Sequence, residues 1–94
     1  MSLEMLVSKY IASAEQVFNE MQTSETPVHL DVNHVKGVMD FAKAYLEDAK
    51  YYRDRKKFEV SLASVAYCEG LLDALKLLGV VEFEWPVRRE RSEK

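Results

Sequence analysis

The sequence predicts an all-α fold, an up-and-down antiparallel three-helix bundle with an extended C-terminal arm. Three observations predict it. Apolar residues recur at alternating spacings of three and four over three stretches. Polar segments separate those stretches, and the one strand-like run has no second run to pair with. Ninety-four residues suffice for one domain with one modest core, so residues 1–94 are read as a single helical unit.

The first helix is expected over about residues 3–22. Leu3, Val7, Tyr10, Ala14, Val17 and Met21 form its seam, and Leu6, Ile11 and Phe18 broaden the apolar face. Core packing is the reading for such a stripe, so this helix is expected to complete the core. Residues 22–30 are polar, interrupted by Pro27, and read as a loop.

The second helix is expected over about 32–53. Asp31 is a suitable N-cap, with Leu30 and Val35 as the flanking apolar pair. Val35, Val38, Ala42, Tyr45, Ala49 and Tyr52 share one face. Gly37 inside the helix costs roughly 1 kcal/mol relative to Ala. The stretch Arg53 to Lys57 contains no Gly or Pro, yet the apolar phase slips across it, which places a turn near 54–57.

The third helix is expected over about 57–78, ending at Gly79 as a C′ residue. Val65, Cys68, Leu72 and Leu75 form one face. Ala63, Ala66, Gly70 and Ala74 form a small-residue strip, expected to meet helix two at Ala42 and Ala49. In the tail, 80–87, Val81, Phe83 and Trp85 alternate with Glu82 and Glu84. This segment either lies across the bundle or pairs with another copy. The charged residues 88–94 read as disordered.

The formal charge of −3 has the wrong sign for a general nucleic-acid binder, whose affinity rests on neutralising phosphates. No apolar run is long enough to span a bilayer, and the N-terminus has no signal-peptide pattern. A single cysteine, Cys68, supports neither an internal disulfide nor a cysteine-based zinc site. A reducing cytoplasm is the expected location.

Tyr45, Asp48 and Ala49 in helix two, followed by Ala66, Tyr67, Gly70, Leu72, Asp73 and Ala74 in helix three, resemble the archaeal family catalogued as domain of unknown function 357. That family's pattern has Tyr-x-x-Asp-Ala in one helix and Tyr-Ala-x-Gly-x-Leu-Asp-Ala in the next. Here Ala precedes Tyr in the second motif and Cys68 stands where Ala is expected. The resemblance implies an up-and-down three-helix bundle and an archaeal source, and no assigned activity.

A polar set, Tyr45, Asp48 and Tyr52 on helix two with Tyr67, Glu69 and Asp73 on helix three, is the sharpest chemical candidate. Converging carboxylates and phenols suit a small hard cation or an acid–base pair. The alternative, which is preferred, is that these carboxylates accept hydrogen bonds that set helix register. His29, Asp31 and His34 carry ligand-type side chains, but no further ligand is fixed by spacing, so no metal is expected. Arg53, Arg55, Lys56 and Lys57 beside Tyr51 and Tyr52 form a candidate phosphate or RNA site with stacking available. Cys68 reads as a core residue, and no phosphate loop or nucleophile elbow is present.

The reading that leads is therefore a non-enzymatic protein-interaction or self-association module, with Phe83 and Trp85 as candidate interface residues. The partner is an unidentified protein or a second copy, without membrane or cofactor. A nucleotide- or RNA-binding domain using the basic turn and a Tyr/Asp cleft is second. An enzyme built on Asp48 and Asp73 ranks last.

Overall fold

The computed structural model describes residues 1–86. The chain forms α1 (Leu3–Glu20), α2 (Val32–Asp54) and α3 (Phe58–Leu77), with no strand among the described residues. The all-α three-helix class expected from the sequence is the class the chain adopts. The disorder expected for 88–94 lies outside the described residues, as does the last residue of the tail.

Side chains cap the first two helices. Ser2 Oγ accepts from the Met5 N–H at 3.1 Å. Asp31 Oδ1 accepts from the Asn33 and His34 N–H groups at 2.8 and 3.1 Å, while His34 Nδ1 accepts from the Asp31 N–H at 3.3 Å. That reciprocal box satisfies donors that have no partner inside the helix.

The α2–α3 turn is closed by the backbone, without glycine. The Lys57 N–H donates to the Tyr52 carbonyl and the Lys56 N–H to the Arg53 carbonyl, both at 2.9 Å. Lys56 between them has φ of 63°. This is a Schellman reversal with lysine at the left-handed position. The same pair of bonds closes α3, from Val80 to Leu75 and from Gly79 to Lys76, with Gly79 at φ 77°. A β-carbon in the left-handed region costs of order 1 kcal/mol. Lys56→Gly is therefore expected to stabilise the hairpin by up to about 1 kcal/mol in urea unfolding, the rare case of a stabilising glycine.

The packed part of the molecule is the α2–α3 hairpin. Its buried residues are Ala42, Ala49, Cys68 and Leu75. Val35, Val38, Tyr45 and Tyr52 of α2 and Ser61, Ser64, Val65, Leu71 and Leu72 of α3 are half-buried beside them. The Ser61 hydroxyl donates to the Ala49 carbonyl at 2.7 Å, and the rings of Tyr45 and Tyr67 meet edge to face at 4.4 Å. These two contacts fix the antiparallel register.

Two expectations need correction. The strip Ala63, Ala66, Gly70 and Ala74 does not face α2: all four are exposed, and a β-carbon on Gly70 would meet nothing within 4 Å. The alanines of α2 face the side of α3 that carries Cys68 and Leu75, because that larger apolar stripe removes more surface from water. Nor does the first helix complete the core. α1 packs against neither α2 nor α3, and none of its residues is buried.

The tail folds back along α3. Trp85 Nε1 donates to Asp73 Oδ1 at 2.9 Å, Lys76 Nζ lies 4.9 Å from the Phe83 ring centre, and Lys76 pairs with Glu84 at 3.7 Å. Phe83 and Trp85 pack edge to face at 5.0 Å. The reversal at Gly79 makes this return possible. Among the described residues no helix is long and apolar enough to cross a membrane.

Candidate interaction surface

The hairpin has two grooves, one on either side of the α2–α3 seam. The tail occupies one, over the flank of α3 that carries Asp73 and Lys76. The other lies on the flank where Tyr45 meets Tyr67. Residues three, four and seven positions from these tyrosines share that flank. Those that supply its larger side chains are Val38, Phe41 and Tyr52 on α2, and Val60, Ser64 and Leu71 on α3, with Leu78 beyond; Asp48 and the small Ala63, Gly70 and Ala74 fall at the same spacings and border it. Phe41 is 66% exposed, Val60 45%, Tyr67 52% and Leu78 63%. α1 contacts neither of the helices that border this groove.

α1 supplies the second uncovered face. Its seam residues Leu3, Val7, Tyr10, Val17 and Met21, and the flanking Ile11 and Phe18, are all exposed. A single 18-residue helix is marginal in water unless its apolar face is buried against something.

The polar set does not converge. In the observed register Asp48 lies level with about residue 62, so roughly 16 Å of helix rise separates it from Asp73. Asp73 is half-buried and accepts from Trp85, Asp48 is exposed, and Glu69 is half-buried one residue after Cys68. Tyr45 and Tyr67 do come together, whereas Tyr52 stacks edge to face with Tyr51 at 5.2 Å. No group of three or more His, Cys, Asp or Glu side chains suited to a metal occurs among the described residues.

Asp31 and His34 are instead occupied in capping α2. The His34 N–H, most of all, holds the Asp31 carboxyl below its ordinary value of 3.8; desolvation opposes it, and the Asn33 N–H and the nearby imidazole add to the lowering. A depressed folded-state value stabilises the fold above the unfolded value and loses that contribution as pH falls through the folded one. Circular dichroism titration of Asp31→Asn is expected to remove this acid-side step below pH 3.8, with α2 otherwise retained.

At the basic turn, the Arg55 guanidinium lies 4.7 Å from the Tyr51 ring centre, and Arg53 Nε pairs with Asp54 at 3.2 Å. Lys56 and Lys57 border an open depression with Phe58, Glu59 and Val60. Burial, with the Glu69 charge beside it, pushes the Cys68 thiol up, which keeps it protonated and a poor nucleophile.

Phe83 and Trp85, the expected interface residues, lie half-buried against α3 of their own chain. Trp85→Phe keeps an aromatic ring of smaller area and removes the hydrogen bond to Asp73, so urea unfolding is expected to show a loss of about 1–2 kcal/mol. Sequence reasoning missed the open groove. Its signal was the set of apolar residues left outside the seams, Phe41, Val60, Leu71 and Leu78.

The model of the family described as "Protein of unknown function (DUF357)" matches residues 9–81 of the chain. No curated protein and no solved structure matches it.

Proposed function

The chain belongs to the DUF357 family of unknown function, and from that premise we propose that it is a non-enzymatic interaction module of a reducing cytoplasm. One observation carries the reading: a single chain leaves both the seam of α1 and the Phe41/Tyr67 groove open to water. Uncovered apolar faces of this extent mark interaction sites in soluble proteins. Aromatic side chains at the centre of such a groove are the groups that contribute most when a partner excludes water. The separation of Asp48 from Asp73, and the engagement of Asp73 by Trp85, disfavour an acid–base pair.

Hydrogen exchange on the full chain at about 1 μM, where self-association is disfavoured, tests the reading. Amides of α2 and α3 are expected to be protected and those of α1 to exchange nearly as fast as in a free peptide. Equal protection in all three helices, in a chain whose mass by light scattering at that dilution is that of one copy, would mean that α1 fills the groove of its own chain and no face is open.

A second reading attaches to the basic turn, where Arg55 over Tyr51 forms a cationic stacking platform. Fluorescence anisotropy with a labelled oligouridine tests it: binding that is lost in Arg55→Glu/Lys56→Glu/Lys57→Glu supports it, and no binding by the native chain rejects it.

A further inference from the structure

We propose that the occupant of the open groove is α1 of a second copy, so that two chains exchange first helices and each completes the other's three-helix core. The inference rests on the interaction reading above and names its partner.

Three observations favour a second copy. The first is area. The chain exposes 8512 Å² at 10.9 kDa, whereas a compact chain of that mass exposes about 5,600 Å². Setting aside about 1,500 Å² as the most that residues 87–94 can expose leaves about 7,000 Å² on residues 1–86, against about 5,200 Å² for a compact chain of their mass, an excess of about 1,800 Å². Removing that excess from both copies buries about 3,600 Å², inside the roughly 2,000–5,000 Å² of obligate homodimers.

The second is how each helix ends. α2 and α3 both end in left-handed reversals that return the chain onto the hairpin, at Lys56 and Gly79. α1 ends at Met21 with φ −67° and ψ 139°, so the chain runs on extended instead of turning back. The loop through Pro27 then makes its side-chain bonds within itself, from Ser24 to Thr26. A helix that leaves its own hairpin without a reversal is placed for exchange between identical chains, a low-cost route to dimers.

The third is charge. α1 carries Lys9 against Glu4, Glu15 and Glu20, a net −2, and the α2–α3 hairpin from Val32 to Leu77 carries eight basic against seven acidic side chains, a net +1. The arm and the body it would dock on therefore attract each other, and two arms repel. This favours arm-on-groove over arm-on-arm pairing. The lengths also agree, since 18 residues of α1 span about 27 Å and 20 of α3 about 30 Å.

Light scattering of the full chain over about 1–500 μM, with hydrogen exchange at both ends of the range, tests the proposal. The expected result is a mass rising from one chain to two, with α1 amides becoming protected in step. Val7→Asp/Val17→Asp is expected to hold the mass at one chain. The α2–α3 amides should keep their protection, because both positions lie outside the packed hairpin. A chain that stays monomeric at 500 μM with α1 unprotected overturns the exchange while leaving the open groove for another partner. A monomer with α1 protected at every concentration overturns both the exchange and the interaction reading. A dimer that survives the double substitution unchanged overturns the exchange alone, since its contact lies elsewhere.

Discussion

Leu75→Ala is expected to lower the stability of the hairpin by about 3 kcal/mol, the largest effect of any single truncation in the chain. Leu75 is 4% exposed and is the largest of the four buried side chains. Deleting its branched end loses the transfer free energy of three carbons and leaves a cavity, together about 2–5 kcal/mol in buried sites. The packed hairpin holds few other buried groups that could take up the loss. Thermal unfolding followed by circular dichroism should show a fall of at least about 10 °C. A change of under a few degrees would mean that the hairpin core does not hold the fold together.

Ala42→Leu is expected to cost about 1–3 kcal/mol through overpacking, since Ala42 is 2% exposed in the packed α2–α3 hairpin. The exposed Ala74 provides the contrast. Ala74→Leu at a surface position should change stability by no more than about 0.5 kcal/mol. Gly70→Ala should stabilise by up to about 1 kcal/mol, because the added β-carbon meets nothing and the helix gains a better former. Were Gly70→Ala and Ala74→Leu to destabilise as strongly as Ala42→Leu, the small-residue strip would have to face α2 after all.

The helices were legible in the sequence because their apolar spacings of three and four are local properties of each segment. The turn was legible from a phase slip at Tyr52 to Phe58, although its mechanism, a left-handed Lys56, was not, since lysine carries no signal for that conformation. Which face of α3 meets α2 was not legible. α3 has apolar side chains around most of its circumference, so Cys68/Leu75 and Ala63/Gly70 were both plausible seams until Ser61 met the Ala49 carbonyl.

The same ambiguity undid the Tyr/Asp cleft. Spacing along one helix shows which residues share a face, but the antiparallel register decides which lie opposite each other, and here it separates Asp48 from Asp73. Trp85 on Asp73 was beyond reach for a related reason. A hydrogen bond across twelve residues depends on the reversal at Gly79 and not on any local pattern. The detachment of α1 was hidden most completely, because a seam announces that it will be buried without saying in which chain.

A single chain does not close its own bundle, and small-angle X-ray scattering at concentrations where the mass is that of one chain tests this most directly. The structure has a Cα radius of gyration of 16.0 Å, against about 12 Å for a compact chain of this length. The expected value is at or above about 16 Å, together with an extended tail in the distance distribution. A value near about 12 Å would contradict it, because only α1 folded into the groove of its own chain makes the monomer that small.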